Sequence, residues 1–236
     1  MLRQEKLSEI SDGRRYGLND MVKADAGGCN GCSYCCETMT DTIALSPLDV
    51  FRMGRAVGKS FGELLDGYIE LNMRDGVILP NIRSGGEGCV FLSEEKRCTI
   101  HGSRPDFCRL FPLGRLYEED SFSYILQTGQ CRKNCTKVKV KKWIDTPDYE
   151  KNRAFILSWH SLVRRIGEIV LGVRQEGEGE GKNAGKMDSE RVCGKEKQKL
   201  LMTLLLEIFY ARPYITDDFY EEFEKRKKEY LEKIGI

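Results

Sequence analysis

Cys29-Asn-Gly-Cys32-Ser-Tyr-Cys35-Cys36 is the stretch on which the reading of this 236-residue chain turns. Asn, Gly and Ser between the thiols favour turns over a regular element. Two overlapping C-x2-C steps put three thiols within reach of one another. A thiolate is a soft, charged ligand, and a C-x2-C pair closes on one metal through a tight turn. The run resembles the three-cysteine run of bacterial ferredoxins, where a remote fourth cysteine completes the ligation. Adjacency tends to point Cys36 elsewhere. It is open as a ligand of a second metal, as a replacement for Cys35, or as a redox partner.

Downstream lie Cys89, Cys98, Cys108, Cys131 and Cys135, and of the ten cysteines only Cys193 stands outside the region. Pro105 and Pro112 restrict the backbone around Cys108. Arg104 and Arg109 are expected to favour its deprotonated form, and Arg132 and Lys133 beside Cys131 to offset further negative charge. With only 2 histidines in the chain, mixed Cys/His zinc sites are disfavoured.

Composition sets the setting. Hydrophobic residues make up 40% and charged residues 32%, as in a soluble globular protein with a modest core. Lys plus Arg number 38 against 37 Asp plus Glu, so no strong electrostatic footprint for nucleic acid is expected. The densest apolar run, Leu200 to Tyr210, is too short for a bilayer and contains Glu207. MLRQEKLSEI has no apolar signal run. A cytoplasmic protein without membrane partner follows as the expectation. In a reducing cytosol clustered thiols read as metal-bound or catalytic rather than disulfide-bonded. A protein partner and the oligomeric state are left open.

The fold class read from the chain is α+β: a small irregular cysteine-rich core organised by metal, with short strands and helices, followed by C-terminal helices. Residues 1–28 form a polar N-terminal segment and 29–145 the cysteine-cluster domain. TIAL (42–45) reads as a short strand. Ser46-Pro47 opens a helix to about Val57, and the capping-box spacing Ser60 to Glu63 a second one to about Leu71. Strands are expected at Val77–Leu79, Cys89–Leu92 and Cys98–Ile100, with a hairpin of Gly114–Tyr117 and Phe122–Gln127. These are too few and short for a sizeable sheet core, and a metal supplies what apolar burial does not. A long helix fills 146–172, with Tyr149, Ile156, Trp159, Val163, Ile166 and Val170 on its buried face and Gly172 as its stop. Residues 173–195 read as a Gly- and charge-rich linker, with Cys193 as a free thiol. The remainder, 196–236, is a helical pair of about 196–211 and 217–234 broken near Pro213.

Four pieces, CNGCSYCC from Cys29, GCVFL from Gly88, CTIHGSRPDFCRLFP from Cys98, and Gly129-Gln130-Cys131, resemble the CxxCxxCC cysteine-cluster family over about 29–135. That family is described as a zinc- or iron-chelating domain, and often as iron–sulfur-cluster containing; some members are named flagellin lysine N-methylases. The resemblance implies that Cys29, Cys32, Cys35, Cys36, Cys89, Cys98, Cys108 and Cys131 are the metal positions. His101 stands where the family commonly has an aromatic residue and is expected as a turn residue, and His160 as a helix residue beside Trp159.

The function expected is thus a metal-binding protein with a thiolate-ligated iron–sulfur cluster, or zinc, and a redox-related role. The alternative, implied by the family name, is a protein lysine N-methyltransferase using S-adenosylmethionine. Against it, no glycine-rich strand-to-helix turn of a nucleoside site is found, so no nucleoside-binding or catalytic residue is assigned. The C-x2-C-x2-C run also differs from the C-x3-C-x2-C spacing of radical S-adenosylmethionine enzymes.

Overall fold

The structure is a computed structural model that describes residues 7–27, 32–39, 43–86, 88–131, 135–172, 194–216 and 218–236. Cys29, Cys193 and the linker proposed for 173–195, up to residue 193, lie outside the described residues. The fold is α+β, with short helices, three two-stranded sheets and long C-terminal helices.

In the N-terminal part, α1 (Leu7–Ile10) precedes β1 (Met21–Asp25). The run expected as turns contains α2 (Tyr34–Thr38). Next, α3 (Pro47–Val57) starts as its sequence requires: Ser46 Oγ accepts from the Asp49 amide, the Asp49 carboxylate accepts from the Ser46 amide, and Gly58 ends the helix at φ 67°. The same reciprocal cap, Ser60 with Glu63, opens α4 (Phe61–Leu65).

The expected run of α4 to Leu71 is not what forms. The chain turns after Leu65 and enters β2 (Ile69–Arg74), which pairs antiparallel with β3 (Val77–Ile82) across the two-residue loop Asp75-Gly76. Both loop residues take positive φ, 47° and 79°. Asp-Gly between apolar runs is a strong hairpin signal because that backbone matches the twist of the strands, and here it overrides helical periodicity. The segments at Cys89–Leu92 and Cys98–Ile100 make only single bridges, Ser84 with Cys89 and Leu92 with Cys98, rather than strands. After α5 (Asp106–Leu110), the expected hairpin forms as β4 (Leu113–Tyr117) and β5 (Phe122–Leu126).

The polar N-terminal segment also hides a strand: β1 pairs with β6 (Thr136–Lys139), and Val22 and Ala24 point inward between exposed Met21 and Lys23. They join a small core with Tyr16, Leu113, Tyr124, Val138 and residues of α6 (Val140–Ile144).

The larger core is built across the chain. Its helices are α7 (Tyr149–Leu171), closed by Gly172, then α8 (Lys195–Leu206) continuing into a π turn at Glu207–Ala211, and α9 (Phe219–Ile234). Phe155, Trp159, Ile166, Phe209, Phe223 and Tyr230 from these helices pack in one cluster with Leu45, Met53, Ile69, Ile82, Phe91 and Ile100. Apolar burial is therefore larger than the short strands suggested, because distant helices supply it. Among the described residues no helix is long and apolar enough to cross a membrane.

One glycine fixes how the β2–β3 hairpin meets α7. A Cβ at Gly167 would lie 2.5 Å from the Asp75 carbonyl oxygen. Alanine favours a helix over glycine by about 1 kcal/mol. Overpacking against backbone that cannot yield costs about 1–3 kcal/mol. The contact wins, so Gly167→Ala should lower the urea midpoint; a midpoint unchanged or raised would mean the hairpin does not sit against the helix.

Candidate metal centre

The cysteines are brought together by backbone geometry before any ligand is considered. Cys35 and Cys36 ride on α2. The Cys89 amide donates to the Cys36 carbonyl at 2.7 Å, which ties the second segment to the first. Gly88 permits this approach: its φ is 132°, and a Cβ there would meet both the Cys36 carbonyl oxygen and Glu37 Cα at 2.9 Å. Between Cys89 and Cys98 the chain reverses in a turn where Ser93 N donates to Arg97 O at 2.8 Å and Lys96 takes φ 59°. Lys96 Nζ then reaches back to the Glu37 carboxylate of α2 at 2.9 Å.

Cys108 is placed by α5, and the RPDFCR sequence is largely its scaffold. The Asp106 amide donates to Asp49 Oδ1 at 2.8 Å, so the residue that caps α3 also holds the start of α5. The Asp106 carboxylate takes both Nη atoms of Arg115, one at 2.9 Å. Although burial pushes Asp106 up, Arg115, with Arg52 and Arg109, holds its carboxyl below the ordinary value. Asp49 is 4% exposed, and burial followed by the Asp106 charge raises its pKa. Arg109 donates to the carbonyls of Gly102 and Asp145 at 2.8 and 3.1 Å.

Cys32, Cys35, Cys36, Cys89, Cys98 and Cys108 line one cavity of about 170 Å³, and all six are half-buried free thiols. A larger cleft of about 400 Å³ between α3 and the π turn contains no cysteine. In the thiol cavity, Cys35 is pushed up by its side-chain hydrogen bond with Cys36, then by burial and the Cys36 charge. Burial also raises Cys89 and Cys98, helped in each case by neighbouring thiols. Cys108 lies well above the ordinary thiol value, first through burial and then through Cys89, Cys35 and Cys98.

The expectation that Arg104 and Arg109 would favour the Cys108 thiolate is thus corrected. Burial and three neighbouring sulfurs outweigh them, Arg109 is turned to backbone carbonyls, and the Arg104 charge acts on Cys98. Thiols that resist ionisation because they are buried, and then because they crowd each other, are the donor set a cation relieves, since a bound metal ion deprotonates its thiols outright.

Other candidates fall differently. His101 also lines the cavity, in a 3₁₀ turn, with its Nε2 against Arg104 Nη1. An arginine only donates, so that nitrogen is the acceptor of a neutral ring, and burial followed by Arg104, Arg109 and Arg97 lowers the His101 pKa. His160 stacks on Tyr117 at 3.6 Å, away from the thiols. Cys131 does not line the cavity; its Sγ lies 3.8 Å from that of Cys135. Cys29, Arg132 and Lys133 lie outside the described residues. Among the described residues, no group of three or more Cys, His, Asp or Glu side chains is spaced to hold a metal ion.

Sequence reasoning missed Asp49, Asp106, Gly88 and Arg115 as supports. The Ser46-to-Asp49 spacing announces a cap, but nothing in it reports that the other carboxylate oxygen crosses to α5. Comparison with curated proteins and with solved structures found no match to the chain. Residues 28–136 match the model of the CxxCxxCC family, described as "Putative zinc- or iron-chelating domain".

Proposed function

We propose that the domain chelates iron as a thiolate-ligated iron–sulfur cluster held by Cys35, Cys89, Cys98 and Cys108, with Cys32 and Cys36 on the same wall. The family supports zinc or iron chelation. The observation that carries the finer reading is the convergence of four half-buried thiols, from three separate chain segments, on one cavity of about 170 Å³. That is several times the ~30 Å³ share of one water molecule, and roomier than a single ion needs. Four thiolates suit a cluster of two or four irons. When bound, such a cluster supplies a one-electron redox couple, and a redox role for the domain follows. The protein's part is to hold the thiols half-buried, limit water, and set Lys96, Arg97 and Arg104 at the cavity to offset thiolate charge.

Anaerobic purification followed by iron, acid-labile sulfide and zinc analysis tests this. The expected protein is brown, with broad visible absorbance and iron and sulfide in equal amounts. Colourless protein with stoichiometric zinc would overturn the cluster while keeping the chelating site. Absence of both metals would overturn the whole reading.

A further inference from the structure

We propose that Cys131 and Cys135 form a dithiol, distinct from the thiols that hold the metal, that closes reversibly to a disulfide. Their Sγ atoms lie 3.8 Å apart, in contact but beyond bonding distance. A disulfide bond is about 2.0 Å long, so the sulfurs have to approach by roughly 1.8 Å. Both side chains are half-buried, open to a small reagent, and neither lines the cavity of the other six.

Their place in the fold gives the bond a consequence. Cys131 follows the turn at Gly129 after β5, and Cys135 immediately precedes β6, whose Thr136 pairs with Asp25 of β1. The two thiols therefore stand at the two ends of the connection from the β4–β5 hairpin to the β1–β6 ladder. A disulfide ties the end of the β4–β5 hairpin covalently to the start of β6, and reduction removes that tie.

The reaction balances with a low-molecular-weight disulfide as oxidant. One cysteine thiolate attacks a sulfur of that disulfide, forming a mixed disulfide and expelling one small thiol. The second cysteine then attacks the protein-bound sulfur, forming the Cys131–Cys135 bond and expelling the other small thiol. The protein gives up two electrons and two protons, and the small disulfide takes them up. A short, partly accessible ring of this kind is the labile type of disulfide rather than the structural type.

The experiment uses the full chain, purified anaerobically with its metal and exposed to glutathione disulfide. Remaining thiols are then alkylated, and peptides are mapped by mass. The expected result is a peptide containing residues 131 and 135 that is two hydrogens lighter and unalkylated, reversed by dithiothreitol, with metal content unchanged. Cys131→Ser and Cys135→Ser should keep the parent's metal, and at least one should trap glutathione as a stable adduct. No linkage at 131–135 would overturn the proposal. Loss of metal in either serine variant would overturn it too, because two thiolates sharing one metal at about 2.3 Å also sit near this separation. The linkage is read whichever metal the cavity holds, so failure of the cluster assignment is told apart from failure of the dithiol.

Discussion

Cys108→Ser is expected to empty the metal site, leaving less than about a tenth of the parent's metal per chain, a loss at least as large as the 10–100-fold effect of removing a supporting residue. Cys108 is the thiol on which the others converge: the charges of Cys89, Cys35 and Cys98 all act on it. Serine keeps the volume but offers a hydroxyl that does not ionise in place of a soft thiolate. Because ligation is coupled to folding, the variant should melt lower and lose protease resistance over residues 88–131. Although Cys89, Cys98 and Cys108 pack against the larger core, the aromatic rings of α7, α9 and the π turn lie against one another, so most helical circular dichroism should persist. Cys35→Ser and Cys89→Ser should follow Cys108→Ser, whereas Cys193→Ser should leave metal unchanged. Parental metal content in all three cavity variants would remove the assignment.

Arg226→Leu should be the most destabilising change outside the cysteine region. Arg226 is 3% exposed and holds the end of the π turn. Its Nη1 donates to the carbonyls of Ile208 and Arg212, each at 2.7 Å, and its Nη2 to Pro213 at 2.6 Å. Nε donates to Glu222 at 3.0 Å, and the guanidinium lies 3.7 Å from the Tyr214 ring centroid. Leucine leaves three carbonyls without their donor and takes the cation from the half-buried Glu222 carboxylate, which keeps the Ile215 and Thr216 amides as donors. Each buried carbonyl left unsatisfied costs about 1–3 kcal/mol. For a chain of this size that lowers the melting temperature by on the order of 10 °C. Glu222→Gln, whose amide oxygen still accepts, should cost less. A shift for Arg226→Leu no larger than that of Glu222→Gln would show that the carbonyl contacts carry little.

The two predictions fall on opposite sides of what could be read beforehand. Thiol spacing made Cys108 a candidate at once, since soft ligands leave a mark in the order of residues. Nothing comparable marks Arg226, one basic residue in a helix rich in Lys, Arg and Glu. Its role exists only because α8 widens into a π turn and frees carbonyls beside it.

Local chemistry was legible where an element is decided by its own residues. Ser46-Pro47 and Ser60-x-x-Glu63 mark the starts of α3 and α4, Gly172 the end of α7, and Pro213 the break before α9, because caps and breakers act within one turn. The β4–β5 hairpin was readable for the same reason. α4 stops short of Leu71 because the Asp75-Gly76 turn, a signal present in the sequence, draws Ile69–Arg74 into a hairpin strand. The alternation at Met21–Asp25 was too short to stand out alone, and its partner β6 lies beyond residue 130, so pairing across that distance left no local trace.

By itself, then, the sequence determined the starts of α3 and α4, the stop of α7, the thiol inventory and its metal-binding chemistry, all of which depend on residue type and near neighbours. Only the tertiary structure decided that six of the described cysteines share a cavity while Cys131 turns to Cys135. It alone also decided that Asp49 braces α5 and that the core under the thiols is supplied by helices of the last 90 or so residues. Those outcomes rest on long-range packing, where burial of apolar faces and satisfaction of buried polar groups choose among partners that local spacing leaves equivalent.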